Sequence, residues 1–477
     1  MKKLITTGIA LLFIGTLGAL AVYIFGMNSQ AGFAGKPSGT QTGAYVKVME
    51  TVLGQIEVYN YQRMGFNKGF IRFSPDGRFL AVGSETGEVL LYDTKGKLVW
   101  RKNMGLGKLA ALEFSPDGRS LLVGETSQQG CLISLNSKDG HVQWRQSSAV
   151  ELGVDIKEKT YPGVVAVRTD AAGMIYAVAQ RYIKHADGRN EYVGRIYKFT
   201  PAGERIEIFP GDHNFDAWVS WIAVDAAGQK IAFAAANFDA VKYTYDRNLY
   251  CLDGKLENVL WSNYVDIVPP YQNVTMRTSP DMMPDGRYAA AIASDGRCFL
   301  FDGERGEELW RRSISQPQKI GGVYINATGN YSRMIGEYAV FTTGNTYNRA
   351  NWQLPTPVEH PNSNSLFVFD LQGKLMNNYK FGGMIEEIAA GNKLAALAVG
   401  RNVRSKDPSV HGLYIVTIPE TRLVDYAATA GPCVAAAISA DGRYAAAVEA
   451  PLQLDDGQVI GEYKLILLAK AETKVLH

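Results

Sequence analysis

A repeated unit of four short strands is the feature that most restricts the fold of this 477-residue chain. Its clearest copy runs from Phe70 to Asn103, FIRFSPDGRFLAVGSETGEVLLYDTKGKLVWRKN. Alternating apolar residues mark the strands, and the turn sequences SPDG, ETG and TKGK separate them. Such a unit predicts four antiparallel strands that are connected by hairpins.

The first turn of this unit recurs along the chain. Pro presets φ, Asp hydrogen-bonds its own backbone and Gly adopts a positive φ, so these residue types suit the turn. Copies occur at Ser74–Gly77, Ser115–Gly118, Asp170–Gly173, Asp225–Gly228, Met283–Gly286, Asn326–Gly329, near Gly391 and at Ser439–Gly442. They predict an all-β fold, an eight-bladed β-propeller of four-stranded antiparallel blades, with seven blades if degenerate units merge. A strand within Tyr45–Phe66 is expected to pair into the last blade and close the ring.

The N-terminal residues predict where the protein is located. Residues 4–26 follow Lys2 and Lys3 and contain no charged side chain. As a helix they would measure about 34 Å, enough to cross a hydrocarbon core of about 30 Å. The lysines predict a cytoplasmic N-terminus and a single-pass cell-membrane protein whose propeller is extracytoplasmic. Cleavage as a signal peptide, which would give a secreted protein, is the alternative.

These observations divide the chain into three parts. Residues 1–26 are the N-terminal transmembrane anchor or signal segment, residues 27–44 a flexible linker, and residues 45–477 the propeller. The linker sequence, MNSQAGFAGKPSGTQTGA, is rich in Gly, Ser, Thr and Gln, a composition typical of flexible tethers.

Several segments resemble known propeller repeats. FSPDGRFLAVGSETGEVLLYD and LEFSPDGRSLLVG resemble WD-repeat blades. LYDTKGKLVWRKN, SLNSKDGHVQWRQ and FDGERGEELWRRS resemble the pyrroloquinoline-quinone-type (PQQ-type) repeat, in which an outer-strand Trp follows the turn. The tryptophans at this position are Trp100, Trp144, Trp261 and Trp310. The resemblance implies the propeller fold and leaves the function open.

The cysteines do not match a quinone-dependent enzyme. Such a dehydrogenase should carry adjacent cysteines, whereas those of this chain are far apart in sequence, at Cys131, Cys251, Cys298 and Cys433. We expect the first three in third strands and Cys433 at the start of the eighth unit, all as small buried residues. No cofactor and no metal site is predicted.

Loop lengths indicate which face of the propeller binds a partner. The first and third turns lie on one face and are short, whereas the second turns and the connections between units lie on the opposite face and carry the insertions. Long loops on one face favour binding there. Candidate ligand-binding residues in these loops are Tyr182, His185, Asp212, His213, Asp216, Tyr243, Arg247, Tyr271 and Trp352. Packing of the aromatic residues within the loops, and solvent exposure of the Asp212–Asp216 segment, are the alternatives.

The balance of charged residues and the absence of catalytic motifs restrict the classes of function that the sequence supports. The chain has 49 Lys and Arg against 47 Asp and Glu, which argues against a nucleic-acid partner. No catalytic motif is present, so we predict a platform that binds a protein or a cell-envelope component. One variant of this prediction resembles the envelope-assembly propellers that help to insert outer-membrane proteins, although no cysteine before Cys131 could carry their lipid anchor. A propeller enzyme with a central-funnel site, similar to quinone-type dehydrogenases or sulfotransferases, is the alternative.

Overall fold

The structure is a computed structural model that describes residues 43–61, 70–105, 107–188, 190–236, 247–269, 271, 274–348 and 356–471. These residues form β-strands, apart from turns, loops, a short helix α1 (Ala149–Leu152) and a 3-10 helix at Pro408–Val410. Within these ranges no helix is both long enough and apolar enough to cross a membrane. The predicted anchor, residues 1–26, lies outside the described residues.

After β1 (Tyr45–Val52) and β2 (Tyr59–Asn60), the strands form antiparallel sets of four that follow each other along the chain. The first four sets are β3 (Phe70–Phe73), β4 (Phe79–Gly83), β5 (Glu88–Asp93) and β6 (Leu98–Asn103); β7 (Lys108–Phe114), β8 (Ser120–Thr126), β9 (Cys131–Asn136) and β10 (Val142–Ser147); β11 (Gly163–Thr169), β12 (Ile175–Lys184), β13 (Asn190–Phe199) and β14 (Arg205–Phe209); and β15 (Ala223–Val224), β16 (Lys230–Ala234), β17 (Leu249–Asp253) and β18 (Val259–Asn263). A single pair, Gly163 with Thr126, joins the second and third sets into one sheet.

The remaining sets complete the fold, and one of them has a fifth strand. They are β19 (Asp281–Met282), β20 (Tyr288–Ile292), β21 (Arg297–Asp302) and β22 (Glu308–Ser313); β23 (Gln318–Ile320), β24 (Val323–Ile335), β25 (Tyr338–Asn348), β26 (Ser365–Asp370) and β27 (Leu375–Lys380); β28 (Ile385–Gly391), β29 (Leu394–Val399), β30 (Gly412–Thr417) and β31 (Leu423–Ala428); and β32 (Cys433–Ile438), β33 (Tyr444–Glu449) and β36 (Lys464–Lys470), which β1 joins. Between β33 and β36 the chain also forms β34 (Leu452–Gln453) and β35 (Val459–Ile460), which belong to a separate small sheet with β2.

The innermost strands of the sets form a closed ring. The strands β3, β7, β11, β15, β19, β24, β28 and β32 pack side by side in that order, and β32 also packs against β3. Apolar side chains fill the space between neighbouring sets; Leu121 and Val123 of β8, for example, pack with Val89 and Leu91 of β5. This arrangement of sheets around a central channel is a β-propeller.

The N-terminal strand completes the last sheet, as the sequence predicts. β1 pairs antiparallel with β36, from Tyr45 opposite Lys470 to Val52 opposite Lys464. The backbone N–H of Tyr45 also donates a 2.6 Å hydrogen bond to Asp425 Oδ2 in the preceding set. The sheet order β1-β36-β33-β32 therefore contains strands from both ends of the described chain, and β1 covers an edge that would otherwise be exposed.

The outer-strand tryptophans connect neighbouring sets. Each indole lies against the third-turn glycine of the following set: Trp100 on Gly140, Trp144 on Gly203, Trp261 on Gly306 and Trp310 on Gly373. Each Nε1–H also donates to a backbone carbonyl of that turn, of Ser137 at 2.8 Å, Pro201 at 3.2 Å, Gly303 at 3.1 Å and Leu371 at 3.1 Å. The same contact therefore recurs at four interfaces between sets.

Glycine is required beneath these indoles. A Cβ atom at Gly306 would lie 2.6 Å from the nearest atom of Trp261, and one at Gly373 would lie 2.8 Å from Trp310. Both glycines also have a positive φ, of 70° and 76°. Where the last sheet meets the first, Met49 of β1 takes the position of the indole, against Gly96.

Three of the first turns, those that begin with serine, share one hydrogen-bond pattern. In the last set Ser439 Oγ donates to Asp441 Oδ1 at 2.7 Å and accepts from the N–H of Tyr444 at 3.0 Å. The turns that begin at Ser74 and Ser115 repeat both bonds. Burial would raise the pKa of Asp441, but hydrogen bonds from Ser439 and Arg443 outweigh it and lower that pKa to about 2.

This turn predicts a pH dependence of stability. The carboxyl of Asp441 has a lower pKa in the folded chain than its usual value of about 3.9. The contribution of Asp441 to the free energy of unfolding is therefore present above about pH 4 and is lost as the pH falls towards 2. Asp441→Asn removes a contribution that solvent screening keeps small. Urea denaturation at about pH 6 and pH 2.5 should show a smaller difference in unfolding free energy for the variant; an unchanged difference would contradict this assignment.

Three sequence-based assignments need correction or refinement. The predicted turn Asn326–Gly329 is wrong: these residues lie inside β24, and the hairpin to β25 is made by Gly336 and Glu337. The predicted long loop at 181–194 is mostly an extension of the β12–β13 hairpin, because the two strands pair as far as Lys184 and Asn190. The insertion at 450–461 contains β34 and β35, which form a small sheet with β2.

The cysteines lie where the sequence predicts. Cys131, Cys251 and Cys298 are in third strands, and Cys433 begins β32. All four are free, buried thiols, and burial raises the pKa of each.

Candidate functional site

A ring of charged side chains lines the central channel. It contains three arginines and three carboxylates, all on innermost strands: Arg72 (β3), Glu113 (β7), Arg168 (β11), Asp281 (β19), Arg333 (β24) and Glu387 (β28). We call these six residues the channel ring. Their side chains are neither fully buried nor fully exposed, because they face the channel.

The carboxylates of the channel ring are occupied by neighbouring groups. Glu387 Oε1 accepts from Arg72 Nη1 at 3.2 Å, and its Oε2 accepts from the backbone N–H of Ala436 at 3.1 Å. Glu113 Oε2 lies 4.0 Å from Arg72 Nε and 3.6 Å from Arg168 Nη1. Asp281 Oδ2 accepts from the N–H of Met334 at 2.8 Å.

Trp221 fills the gap between two arginines of this ring. The guanidinium carbon of Arg168 lies 4.3 Å from its ring centroid, and that of Arg333 lies 4.5 Å away. A guanidinium at this distance is attracted to the π face of an indole. Both cations therefore lie over the indole of Trp221.

Burial and charge act in opposite directions on the channel arginines. Burial lowers the pKa of Arg168 and Arg333, and the nearby carboxylates Glu113 and Asp281 offset part of that effect. Burial would also lower the pKa of Arg72, but Glu387 and Glu113 outweigh it and raise the pKa. Guanidinium groups keep their proton at neutral pH, so the ring contains alternating fixed charges.

One arginine above the ring has no carboxylate partner. Arg277 lies four residues before Asp281, on the long-loop face, which we define as the face formed by the second turns and the connections between sets. Its side chain is exposed at the channel mouth, and among the described residues it makes no hydrogen bond or ion pair. Partial enclosure lowers its pKa, and the nearby hydroxyls of Tyr347 and Tyr192 oppose that shift.

Aromatic side chains accompany Arg277 on this face. Tyr182 and Tyr192 are cross-strand partners in the β12–β13 hairpin, with ring centroids 5.0 Å apart. The ring of Tyr192 lies 6.3 Å from that of Trp218. The predicted candidate Tyr182 therefore packs against other aromatic residues, as in the packing alternative, on a hairpin that forms part of the long-loop face.

The other predicted site residues occupy different positions. His185 Nε2 lies 2.6 Å from Glu191 Oε2, as a partner within the same hairpin. Asp212 and His213 pair with each other at 2.6 Å in solvent, and the hydrogen bond from His213 lowers the pKa of Asp212. Asp216 follows Phe215, whose backbone exchanges two 2.9 Å hydrogen bonds with Gly194. The Asp212–Asp216 segment and the hairpin are therefore adjacent.

The remaining candidates are not brought into this group by any described contact. Arg247 is exposed, and its backbone carbonyl accepts from the hydroxyl of Tyr250. Tyr271 is 7% exposed and donates to the carbonyl of Asp295 at 3.3 Å, which leaves little of its ring for a ligand. Tyr243 and Trp352 lie outside the described residues.

Apolar side chains project from the connections on the long-loop face. In the connection between β10 and β11, Val150 is 88% exposed and Ile156 is 67% exposed. Tyr264 and Val268 are exposed in the connection between β18 and β19. Exposed apolar groups on one face are typical of protein-binding surfaces.

The residues of the channel do not fit the quinone from which the repeat takes its name. Trp221, the indole that could stack on a planar group in the channel, already lies against the guanidinium groups of Arg168 and Arg333. The four thiols are buried in different sets. Among the described residues no three or more His, Cys, Asp or Glu side chains are grouped so that they could hold a metal ion.

Sequence reasoning missed the channel ring, although a signal for it is present. Arg72, Glu113, Arg168 and Asp281 each stand two positions before the first residue of a first turn, in otherwise apolar strands. Alignment of the repeats on that turn would have placed these four charges around one axis. The misassigned turn at Asn326–Gly329 concealed Arg333.

The fold, the outer-strand tryptophans and the central channel define the class of protein, a β-propeller built from PQQ-type repeats. The family model described as outer membrane protein assembly factor BamB (PQQ_2) matches residues 47–181 and 221–366, together more than half of the chain. The chain belongs to this family, and the predicted PQQ-type repeat is confirmed.

A solved structure shares the fold at low sequence identity. The crystal structure of BamB from Moraxella catarrhalis is 12% identical, with a TM-score of 0.52 over 91% of this chain and 99% of that chain. The β-propeller domain of Myceliophteria thermophila Cps50 (Swd1) is 13% identical, with a TM-score of 0.45 over 89% of this chain and 100% of that chain. A search of the curated proteins gives no match.

Proposed function

We propose that this protein is a membrane-tethered, extracytoplasmic propeller that binds a protein of the cell envelope through its long-loop face. The observation that carries the proposal is the exposure of Val150 and Ile156 on a connection that is longer than the fold requires. The description of the family, an outer-membrane-protein assembly factor, supports a partner in the envelope. Charge-free residues 4–26 after Lys2 and Lys3 support the tether.

We also infer that the ring has eight blades. Eight innermost strands, β3, β7, β11, β15, β19, β24, β28 and β32, follow each other around the channel, and each belongs to a different set of strands. In this count the five-stranded set is one blade with an additional short strand, β23. The second and third blades are joined at Gly163 and Thr126.

The state of the channel favours binding over catalysis in this proposal. The carboxylates of the channel ring are paired with arginines or with backbone N–H groups, and Trp221 lies against Arg168 and Arg333. Contact with a partner is therefore expected at the rim and the loops of the long-loop face.

Substitution of the two exposed side chains tests the proposal. Val150→Asp with Ile156→Asp should weaken co-purification of the partner from detergent-solubilised membranes at least tenfold, because burial of each apolar side chain contributes about 1–3 kcal/mol. Arg119→Ala is the control, since Arg119 is 87% exposed on the face of the first and third turns. Equal recovery of the partner by all three proteins would refute binding through the long-loop face.

Position-specific crosslinking gives an independent result. A photoreactive residue at position 156 should form an adduct with the partner, and the same residue at position 119 should not. Adducts formed only at position 119 would assign binding to the opposite face.

A further inference from the structure

We propose that Arg277 is the anchor of a carboxylate-recognition site at the long-loop mouth of the channel, and that its ligand is an acidic side chain on a peptide segment of the partner. This inference rests on the proposed function and specifies the chemistry of the partner. It depends on the absence of a carboxylate partner for Arg277 within the described ranges, on the charge of the channel and on the side chains of the channel ring.

Several other enclosed arginines have a carboxylate partner, whereas Arg277 has none among the described residues. Arg297, which is downstream of Arg277 in the same set, lies 2.6 Å from Asp266 and 2.8 Å from Asp295. Arg72 and Arg168 have the carboxylates of the channel ring. Arg277 has only the hydroxyls of Tyr192 and Tyr347 as electrostatic neighbours among the described residues. A partly enclosed guanidinium without an acceptor is therefore suited to an incoming carboxylate, which it can bind through two parallel hydrogen bonds.

The balance of charge along the channel favours an anion. With Arg277 included, four guanidinium groups face three carboxylates, so the surplus positive charge lies on the long-loop side. The position of Arg277 relative to the channel ring is fixed by its neighbours in sequence. Ser220 Oγ donates to the carbonyl of Arg277 at 2.6 Å, and Arg333 Nη1 donates to the carbonyl of Thr278 at 3.2 Å.

The channel ring limits how far a ligand can enter. Arg168 and Arg333 lie over Trp221, which follows Ser220 in sequence, and Arg72 pairs with Glu387 within the channel ring. A ligand at Arg277 therefore stays at the mouth, within reach of a chain that lies across the long-loop face. The aromatic residues Tyr182, Tyr192 and Trp218 beside this mouth are of the types that peptide-binding surfaces use. An acidic residue flanked by apolar residues is the peptide that this surface fits.

Selection from a phage-displayed library of random dodecapeptides on the full-length protein in detergent tests the proposal. Enriched peptides should contain Asp or Glu, and synthetic copies should bind at least tenfold more weakly to Arg277→Ala, as measured by fluorescence anisotropy. Replacement of the acidic residue in the peptide by its amide should give the same loss. Arg277→Lys should recover part of the affinity, because lysine keeps the charge but not the planar guanidinium. Arg119→Ala is the matched control and should bind as the unmodified protein does.

Several outcomes would overturn the proposal. These are no enrichment, enriched peptides without acidic residues, or equal affinity for the unmodified protein and Arg277→Ala. Inorganic phosphate or free glutamate that displaces the peptide at equal concentration would show a site for small anions instead. The two proposals can fail separately. If the Val150 and Ile156 variant loses the envelope partner but Arg277→Ala binds the peptides as the unmodified protein does, this inference is refuted and the proposed function remains intact.

Discussion

Replacement of Trp310 by alanine should lower the free energy of unfolding by about 3–5 kcal/mol, the range expected for truncation of a buried aromatic side chain. Trp310 is 7% exposed, and its ring packs against Phe341 at 6.1 Å and Phe369 at 5.5 Å. The variant also loses the hydrogen bond to the carbonyl of Leu371 and leaves a cavity over Gly373. The loss should be large because the indole belongs to the contact between two sets.

Urea denaturation followed by circular dichroism would measure this effect. Leu309→Ala is the matched control, because Leu309 is the preceding residue on the same strand and is 45% exposed. We expect the control to change stability by less than about 1 kcal/mol. Similar losses for the two variants would mean that the indole contributes only as an ordinary strand residue.

Removal of Arg72 from the channel ring should have the second largest effect, about 3 kcal/mol. The variant Arg72→Ala removes the guanidinium that lies 3.2 Å from Glu387 and, among the described ion pairs, leaves Glu113 with Arg168. Removal of one member of a buried ion pair costs about 3–5 kcal/mol, because the other charge remains unpaired. The side chains of Arg72 and Glu387 are 25% and 15% exposed, so we place the expected value at the lower end of that range.

A double variant separates the effect of losing the Arg72–Glu387 ion pair from the effect of losing the packing of the Arg72 side chain. Arg72→Ala with Glu387→Gln should be more stable than Arg72→Ala alone, because Gln removes the unpaired charge and can still accept from the N–H of Ala436. The measurement is the urea midpoint of the three proteins under one buffer condition. A double variant less stable than the single variant would show that charge pairing does not stabilise the ring.

Local turn chemistry made most of the fold predictable. The sequence SPDG specifies its own hydrogen bonds, and the outer-strand Trp with its partner glycine identifies the unit even when spacing varies. The turn at Asn326–Gly329 was misassigned because β24 is a 13-residue strand and its hairpin at Gly336 lacks the Pro and Asp of the other turns. A single local pattern cannot reveal a strand that is longer than its counterparts.

The site was less predictable from the sequence because it is formed by side chains from strands that are far apart in the chain. Arg72, Glu113 and Glu387 meet only after the ring has closed, since their strands are far apart in sequence. Among the described residues the Arg277 side chain has no carboxylate partner, and such an absence can be recognised only in three dimensions. The loop candidates were chosen for residue type, and several of them, such as His185 and Tyr271, pack or pair within their own surroundings.

The sharing of the last sheet by β1 and β36 has a consequence for biosynthesis. β1 is the first strand of the propeller to leave the ribosome, but its partner is among the last, and the Tyr45 hydroxyl bonds to a carbonyl 397 residues away. Until β36 is made, β1 has no neighbour to pair with, so an apolar strand edge stays open throughout translation. The nascent chain is thus most vulnerable to aggregation just before its final strand appears, and chaperones that shield β-strand edges should matter most at that stage.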